Sequence, residues 1–510
     1  MADITESSKL TGYGTINYRG SREYDNESGI HHHNRNSGLL ERWFKLSERG
    51  TTVGKEIRAG TTSFLTISYI LLVNPFILGQ PNTDIPRDDV VFGTAVGSIV
   101  GSLICGLVAN LPFTMAPGLG LSAYFSYGLV QGQDLPWQGC LTCCTIAGMI
   151  MFLLAITNLS DVIMKIIPNT IKVATVVGMG LLLTMIGMQK INIVVPSNDE
   201  SIVRLGDMDT IEVWISLLGL TILGTLSYWD VKGSILIGIL TVTVIIWTKD
   251  NTWPDKYVSH PGEKNFDVIF AGATSFDLIN KKYVGAIASF MVVGIFDVSG
   301  VLFGLSRMSG LQNRDTGEIP GSKWAFTAAA VGTIVAAMFG CSPIIPAIES
   351  AAGLKEGGKT GLTSVTSACW FALAMFLTPL FGNIPVEATS PVLILLGAAM
   401  MGEASEINWY CMYQALPAFL CLTIMPFTFS IPNGIIFGTG FLVVLYISTG
   451  QFMSATTSGQ EDEESLRRIR QERRPSSINV AIDAFEAIKQ PHFKRKTSSL
   501  YLHEATITNL

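Results

Sequence analysis

The chain has 510 residues, 48% of them hydrophobic and only 15% charged, with a mean hydropathy of +0.41. A soluble globular protein carries about 25% charged residues, and the charges here crowd into residues 1–58, residues 459–510 and a few loops between apolar runs. Composition therefore excludes a soluble domain and predicts a polytopic membrane protein. The net charge of −6 says little about partners, because most of the charge lies in the tails.

The first 40 residues are polar and lack the apolar stretch of a cleavable signal peptide; Ala2 excludes an N-myristoyl glycine. The run His31–His33 reads as polar tail rather than a metal site. His260, His492 and His503 also fall outside the apolar runs, so imidazole proton chemistry inside the membrane is not expected. Apolar spans of helical length begin near Ile57, Val90, Trp137, Val173, Val213, Ser234, Val284, Ala325, Gly361, Val392, Tyr413 and Ile431. Each is near the ~20 residues needed to cross a bilayer. Cys105, Cys341, Cys369, Cys411 and Cys421 sit within apolar runs. Cys140, Cys143 and Cys144 contain a CxxC spacing, but no second pair or histidine stands at zinc spacing, so they read as small buried hydrophobes.

Two further apolar segments are short and broken. NLPFTMAPGLGLSAYF spans 110–125 and GCSPIIPAIESAAGL spans 340–354. Pro112, Pro117, Pro343 and Pro346 remove backbone donors and block helix. Extended backbone at membrane depth is tolerated only where its polar groups pair inside the protein, so the two pieces are predicted to pair with each other and each to launch a half-helix. They raise the count to fourteen spans, seven before about residue 250 and seven after. The third span of each half is the broken one. An odd number of spans per repeat forces the second repeat to be inverted, which is a transporter plan with its binding site between the half-helices. Lys and Arg concentrate on one side of this arrangement, placing both termini in the cytoplasm.

Few ionisable residues lie deep in apolar runs. Glu349 (in PAIESAAG) and Asp297 (in MVVGIFDVSGVLFG) stand out. A buried carboxylate costs several kcal/mol by insertion scales, and is kept for a site, a proton relay or a structural pair. Glu349 beside a half-helix start reads as functional. Asp297 reads either as functional or as a hydrogen-bond partner for backbone amides of a broken helix. Both can accept N–H groups of a ligand and exchange protons. No Lys or Arg lies between Asn110 and Phe125, which disfavours an anion site, although half-helix dipoles alone can hold an anion. There is no GxxxxGK[ST] phosphate loop and no nucleophile–base constellation, so an enzyme is not expected.

The chain resembles the AzgA-like (azaguanine-resistance) purine permeases, within the nucleobase–ascorbate transporter superfamily. The likeness runs from about Trp43 to Thr449, through ERGTTVGKEIRAGTTSFLTISYILLVNP (48–75), MAPGLGLSAYFSYG (115–128), IPNTIKVATVVGMGLLLTMIGMQ (167–189), KGSILIGI (232–239), FDVSGVLFG (296–304), IESAAGLKEGGKTGLTSV (348–365), EATSPVLILLGAAM (387–400) and LPAFLCLTIMPFTFSIPNGIIFG (416–438). The resemblance implies an all-α fold of fourteen spans in two inverted repeats. It implies a core domain at 56–157 and 282–381 (spans 1–4 and 8–11), and a gate domain at 158–250 and 382–450 (spans 5–7 and 12–14). A cytoplasmic tail at 1–55, an extracytoplasmic loop at 251–281 and a second cytoplasmic tail at 451–510 complete the chain.

The resemblance further implies proton-coupled purine uptake by alternating access, no cofactor beyond the proton, no nucleic-acid partner, a homodimer in the lipid bilayer, and residence in the plasma membrane. Glu349 matches the family's carboxylate in span 10 and Gly120 a site glycine in span 3. Ser350 and Asp297 join the expected site, with Glu349 and Asp297 carrying the proton. Two positions depart from the family pattern: Ser122 stands where the family has Asn, and Gly294 where it has the first of two acids in span 8. Base preference is therefore expected to be altered. Other heterocycles such as uracil or xanthine-like compounds, a sulfate-like anion, or a receptor-like binder without net transport remain the alternatives. In the C-terminal tail Ser476 and Ser477 follow Arg473 and Arg474, which is compatible with basophilic phosphorylation or with a plain solvated tail.

Overall fold

The computed structural model describes residues 39–157, 168–197, 203–254, 270, 275–279, 281–311 and 319–449. His31–His33, Ser476, Ser477, His260, His492 and His503 lie outside the described residues.

After a short helix α1 (Leu39–Phe44), the first span comes in two pieces, α2 (Val53–Ile67) and α3 (Ile70–Leu78). Span 2 is α4 (Arg87–Leu107). Span 3 is the strand β1 (Met115–Pro117) and half-helix α5 (Leu119–Ala123), which continues as a π-helix over Tyr124–Gln131. Span 4 is α6 (Trp137–Ile156) and span 5 is α7 (Asn169–Lys190). A small hairpin of β2 (Val194–Pro196) and β3 (Val203–Leu205) precedes span 6, α8 (Ile211–Tyr228), and span 7, α9 (Ser234–Asp250). The second half repeats the plan. Span 8 is α10 (Lys281–Ser309) and span 9 is α11 (Ser322–Met338). Span 10 is β4 (Ile344–Pro346) and α12 (Ser350–Lys355). Span 11 runs through α13 (Gly361–Ala374) and a 3-10 turn into α14 (Thr378–Gly382). Spans 12 to 14 are α15 (Val386–Met400), α16 (Met412–Thr428) and α17 (Ile431–Ser448).

Among the described residues, nine helical stretches are long and apolar enough to cross a membrane, and α11 and α16 are shorter apolar helices. With the 17-residue α9 and the two broken segments they make up the fourteen predicted spans. Helix starts follow proline chemistry. Pro86, Pro136, Pro168 and Pro385 immediately precede α4, α6, α7 and α15, where the ring blocks upstream helix without removing an intrahelical donor.

The packing repeats itself when each span is replaced by the span seven later. α6 packs on α11 as α4 packs on α13, and α2 on α13 as α10 on α6. In the other group α7 packs on α16 as α15 packs on α8, while α4–α11 and α7–α15 are pairs that map onto themselves. Spans 1–4 and 8–11 thus pack chiefly among themselves, as do spans 5–7 and 12–14. The α4–α11 crossing is close because small residues meet there. A Cβ at Gly332 would lie 3.2 Å from Gly101 Cα, and one at Gly97 would lie 2.6 Å from Ala336 Cβ. In lipid, such small-residue contacts replace the hydrophobic drive between helices.

Spans 1, 2 and 11 are tied at one end by buried polar groups. The Glu56 side chain, fully buried, accepts from Lys359 N (2.9 Å), Thr360 N (3.2 Å) and the Thr363 hydroxyl (2.6 Å). It thereby satisfies amides at the start of α13 that have no intrahelical acceptor. Arg49 donates to the carbonyls of Asn110 (2.7 Å) and Lys359 (2.8 Å). Asn110, in the left-handed region at φ 51, accepts from Gly361 N (2.7 Å) and donates to Phe44 O (3.2 Å).

Candidate functional site

The two extended pieces pair with each other. β1 and β4 run antiparallel, with Met115 opposite Pro346, Ala116 opposite Ile345 and Pro117 opposite Ile344. Gly118 N to Pro343 O (3.1 Å) and Ala347 N to Thr114 O (2.9 Å) close the two ends of the ladder. The prolines leave fewer amides to satisfy, and side chains of neighbouring spans take the rest. Ser102 of α4 accepts from Met115 N (2.9 Å), and Thr333 of α11 accepts from Ile344 N (2.9 Å). These are corresponding positions in the two repeats. Ser350 accepts from Thr114 N (2.9 Å), and Ser364 donates to Phe113 O (2.8 Å). The polar backbone is thus satisfied internally, as non-helical chain within a bilayer requires.

Glu349 immediately precedes α12. Its side chain does not cap that helix but accepts the hydroxyl of Tyr69. Tyr69 is buried and sits at the break between α2 and α3. Glu349 itself is only partly buried, and its neighbour Ile348 is 57% exposed. Glu349 thus combines a hydrogen-bond-accepting carboxylate with an exposed aliphatic neighbour. α12 is held against span 1 at close range. A Cβ on Gly353 would collide with Ser63 Oγ and lie 2.7 Å from Ala59 O, so glycine is required for this approach.

Asp297 lies in α10, which touches β4, α12, α5 and α7. The residue is 6% exposed. Gly294, one turn earlier, faces span 4: a Cβ there would lie 3.1 Å from Met151 Sδ. The space beside Gly294 is therefore occupied by a buried thioether. Gly120 on α5 faces span 5, where an added Cβ would come within 2.6 Å of Met179 Sδ.

Ser122 and Ser350, both expected at the site, have their hydroxyls committed to the protein. Ser122 is fully buried, donates to Asn74 Oδ1 (2.6 Å) and pairs with Ser342 Oγ (2.7 Å). Asn74 in turn donates to Thr94 Oγ1 (2.8 Å) and Cys341 Sγ (3.3 Å). This network ties span 1, span 2 and both broken segments together. Tyr69, Asn74, Ser102 and Thr333 are the residues that sequence reasoning missed.

Charged contacts join the two helix groups on opposite sides of the site. Glu356, just after α12, pairs with Arg58 of α2 (3.0 Å) and with Lys232 in the turn between α8 and α9. The Lys232 hydrogen bond, then the Lys232 and Arg58 charges, hold the Glu356 carboxyl below the usual carboxylate range. At the other end, Lys190 of α7 donates to Asn82 Oδ1 (2.7 Å) and lies 5.5 Å above the Tyr127 ring. Among the described residues no group of three His, Cys, Asp or Glu side chains is arranged to hold a metal.

Two inverted repeats with crossed, paired strands and a carboxylate at a half-helix start define a polytopic membrane transporter. Residues 54–449 match the model of the permease family Xan_ur_permease, and the chain belongs to that family. The adenine permease AdeP of Escherichia coli is 34% identical over 81% of this chain and 92% of its own. The guanine/hypoxanthine permease PbuO of Bacillus subtilis is 36% identical over 78% and 92%. The transmembrane domain of a cyanobacterium bicarbonate transporter, BicA, shares the fold. Its TM-score is 0.59 at 13% identity, over 76% of this chain and 97% of that one.

Proposed function

We propose that the chain is a secondary active transporter that carries purine nucleobases inward together with protons. The observation that carries this reading is Glu349, a partly buried carboxylate beside exposed Ile348 at the start of α12. A neutral purine offers N–H donors to such an acceptor and a flat face to the aliphatic surface. Sequence likeness to permeases for adenine, guanine and hypoxanthine supports the substrate class. The site then comprises Glu349, Gly120 and Asp297. Ser122 and Ser350 shape it through their bonds to Asn74, Ser342 and Thr114 rather than by touching the ligand. Gly294 contributes an apolar boundary through Met151. Glu349 and Asp297 are the proton carriers.

Spans 1–4 and 8–11 form a core domain that moves against a gate domain of spans 5–7 and 12–14. Lys190–Asn82 on one face and Lys232–Glu356 on the other join core to gate. Access from either side requires the contact on that side to open. The protein works as a homodimer in the plasma membrane with both termini cytoplasmic.

The test is uptake of labelled adenine, guanine and hypoxanthine in a host lacking its own nucleobase transporters. Accumulation against a gradient, abolished by a protonophore, is expected. Glu349→Gln should lower uptake by at least about tenfold, the cost of one charge-assisted hydrogen bond. Absence of nucleobase flux in the wild-type protein, or unchanged flux in the Gln variant, would overturn the reading.

A further inference from the structure

We propose that Tyr69 is the positioning residue of this site, holding one oxygen of Glu349 so that the other faces the ligand and the proton. The proposal deepens the reading above and rests on Glu349 being the ligand-facing carboxylate. Three observations carry it.

The first is the bond itself. The Tyr69 hydroxyl donates to Glu349 Oε1 across 280 residues of sequence. The phenol is buried, 3% exposed. A buried hydroxyl is kept where it finds a partner.

The second is the backbone that aims it. Span 1 is interrupted at Ser68 and Tyr69, and the chain restarts through short-range bonds from Leu71 N to Ser68 O (3.1 Å) and Leu72 N to Tyr69 O (2.9 Å). The break is followed by the nine residues of α3, which carry Pro75 inside the helix. That proline removes the donor for Leu71 O and accounts for the irregular first turn of α3; the interruption leaves Tyr69 where it reaches across to α12.

The third is mechanical. α2 and α12 are locked by backbone approach, Gly353 on Ala59 and Ser63, and a Cβ on Gly358 would lie 2.9 Å from Ala59 Cβ. Tyr69 therefore travels with Glu349 instead of being a contact that opens and closes. A phenol suits a permanent partner of a titrating group: it donates to Oε1 of the ionised carboxylate, and more weakly to the Oε1 carbonyl once Oε2 takes the proton. The hydroxyl keeps Oε1 occupied in both states and leaves Oε2 to the ligand and the proton.

Tyr69→Phe keeps the ring and removes only the hydroxyl. In uptake assays KM for the best nucleobase should rise about tenfold, the loss of one well-oriented hydrogen bond. The pH of half-maximal uptake should move upward by about one unit, because the ionised form loses a donor. Tyr283→Phe, which removes a phenol at the other end of the same helix group, should leave that pH unchanged. A readout independent of transport comes from pH-difference infrared spectra of purified protein. The carboxyl band missing in Glu349→Gln should titrate about one unit higher in Tyr69→Phe. Unchanged infrared titration would overturn the proposal even if nucleobase uptake is intact. If the wild-type protein carries no nucleobase, the parent reading fails, and the infrared shift still decides whether Tyr69 governs Glu349.

Discussion

Replacing Glu56 by alanine tests how the start of span 11 is anchored to span 1. In the wild-type protein the carboxylate accepts two backbone amides and one hydroxyl, at 2.9, 3.2 and 2.6 Å, in a fully buried position. Alanine leaves the amides of Lys359 and Thr360 without that acceptor at the N-terminus of α13. Each buried amide left unpaired costs about 1–3 kcal/mol. The Thr363 hydroxyl can re-bond within its own helix, so it adds little. The total is about 4 kcal/mol, which in a chain of this length lowers the melting temperature by roughly 4 °C. Glu56→Gln keeps one acceptor oxygen and turns an NH2 group toward the other donors, costing about 1–2 kcal/mol. Thermal unfolding in detergent, followed by fluorescence-detected size exclusion, should rank wild type above Gln and Gln above Ala. A melting temperature in Glu56→Ala equal to wild type, or a reversed ranking, would refute the capping role.

Gly120→Ala should cut uptake several-fold by pressing on Met179 Sδ, 2.6 Å from the new Cβ. The double variant Gly120→Ala/Met179→Ala should recover most of it; persistent loss would mean that space beside α5 is not the issue. The pair Lys232–Glu356 predicts a pH effect. The Glu356 carboxyl is held below its ordinary 4.5. Its contribution is therefore complete above that value and is lost as pH falls through the lowered folded one. Hydrogen exchange in the turn 229–235 should quicken in Glu356→Gln at neutral pH, and in wild type at about 1 M salt, where the Debye length falls to about 3 Å. Equal exchange in all three conditions would show that the pair carries no contact between the two helix groups.

Much of the architecture was legible because membrane spans and prolines are local signals. The helix starts at Trp137, Ser234, Gly361 and Ile431 coincide with the expected ones. PFTMAP and PIIP announced strands that had nowhere to pair but with each other. The break at Tyr69 was not legible. TTSFLTISYILLV reads as one apolar run; Pro75 beyond it disturbs the start of α3, and the partner of the Tyr69 hydroxyl lies 280 residues away at Glu349. Ser102 and Thr333 carry no local signal within their apolar helices, yet they satisfy the amides of Met115 and Ile344. Ser122 and Ser350 were legible as polar groups near the broken helices. Which way their hydroxyls turn depends on Asn74, Ser342 and Thr114, all distant in sequence. The π-helix after α5 and the β2–β3 hairpin had no sequence signal of comparable strength.

The β1–β4 pairing also sets a schedule for making the protein. Ala116 and Ile345 are cross-strand partners, so roughly 230 residues must be synthesised after β1 before its partner exists. At about 5–20 residues per second that interval is roughly 10–50 s. During it, β1 lacks its strand partner in a region where unsatisfied amides and carbonyls cost several kcal/mol each. Ser102, only 13 residues upstream, can hold Met115 from the outset, and Pro117 offers no amide to expose. The proline that shapes the strand thus also shortens the list of groups that must be sheltered while the first repeat waits for the second.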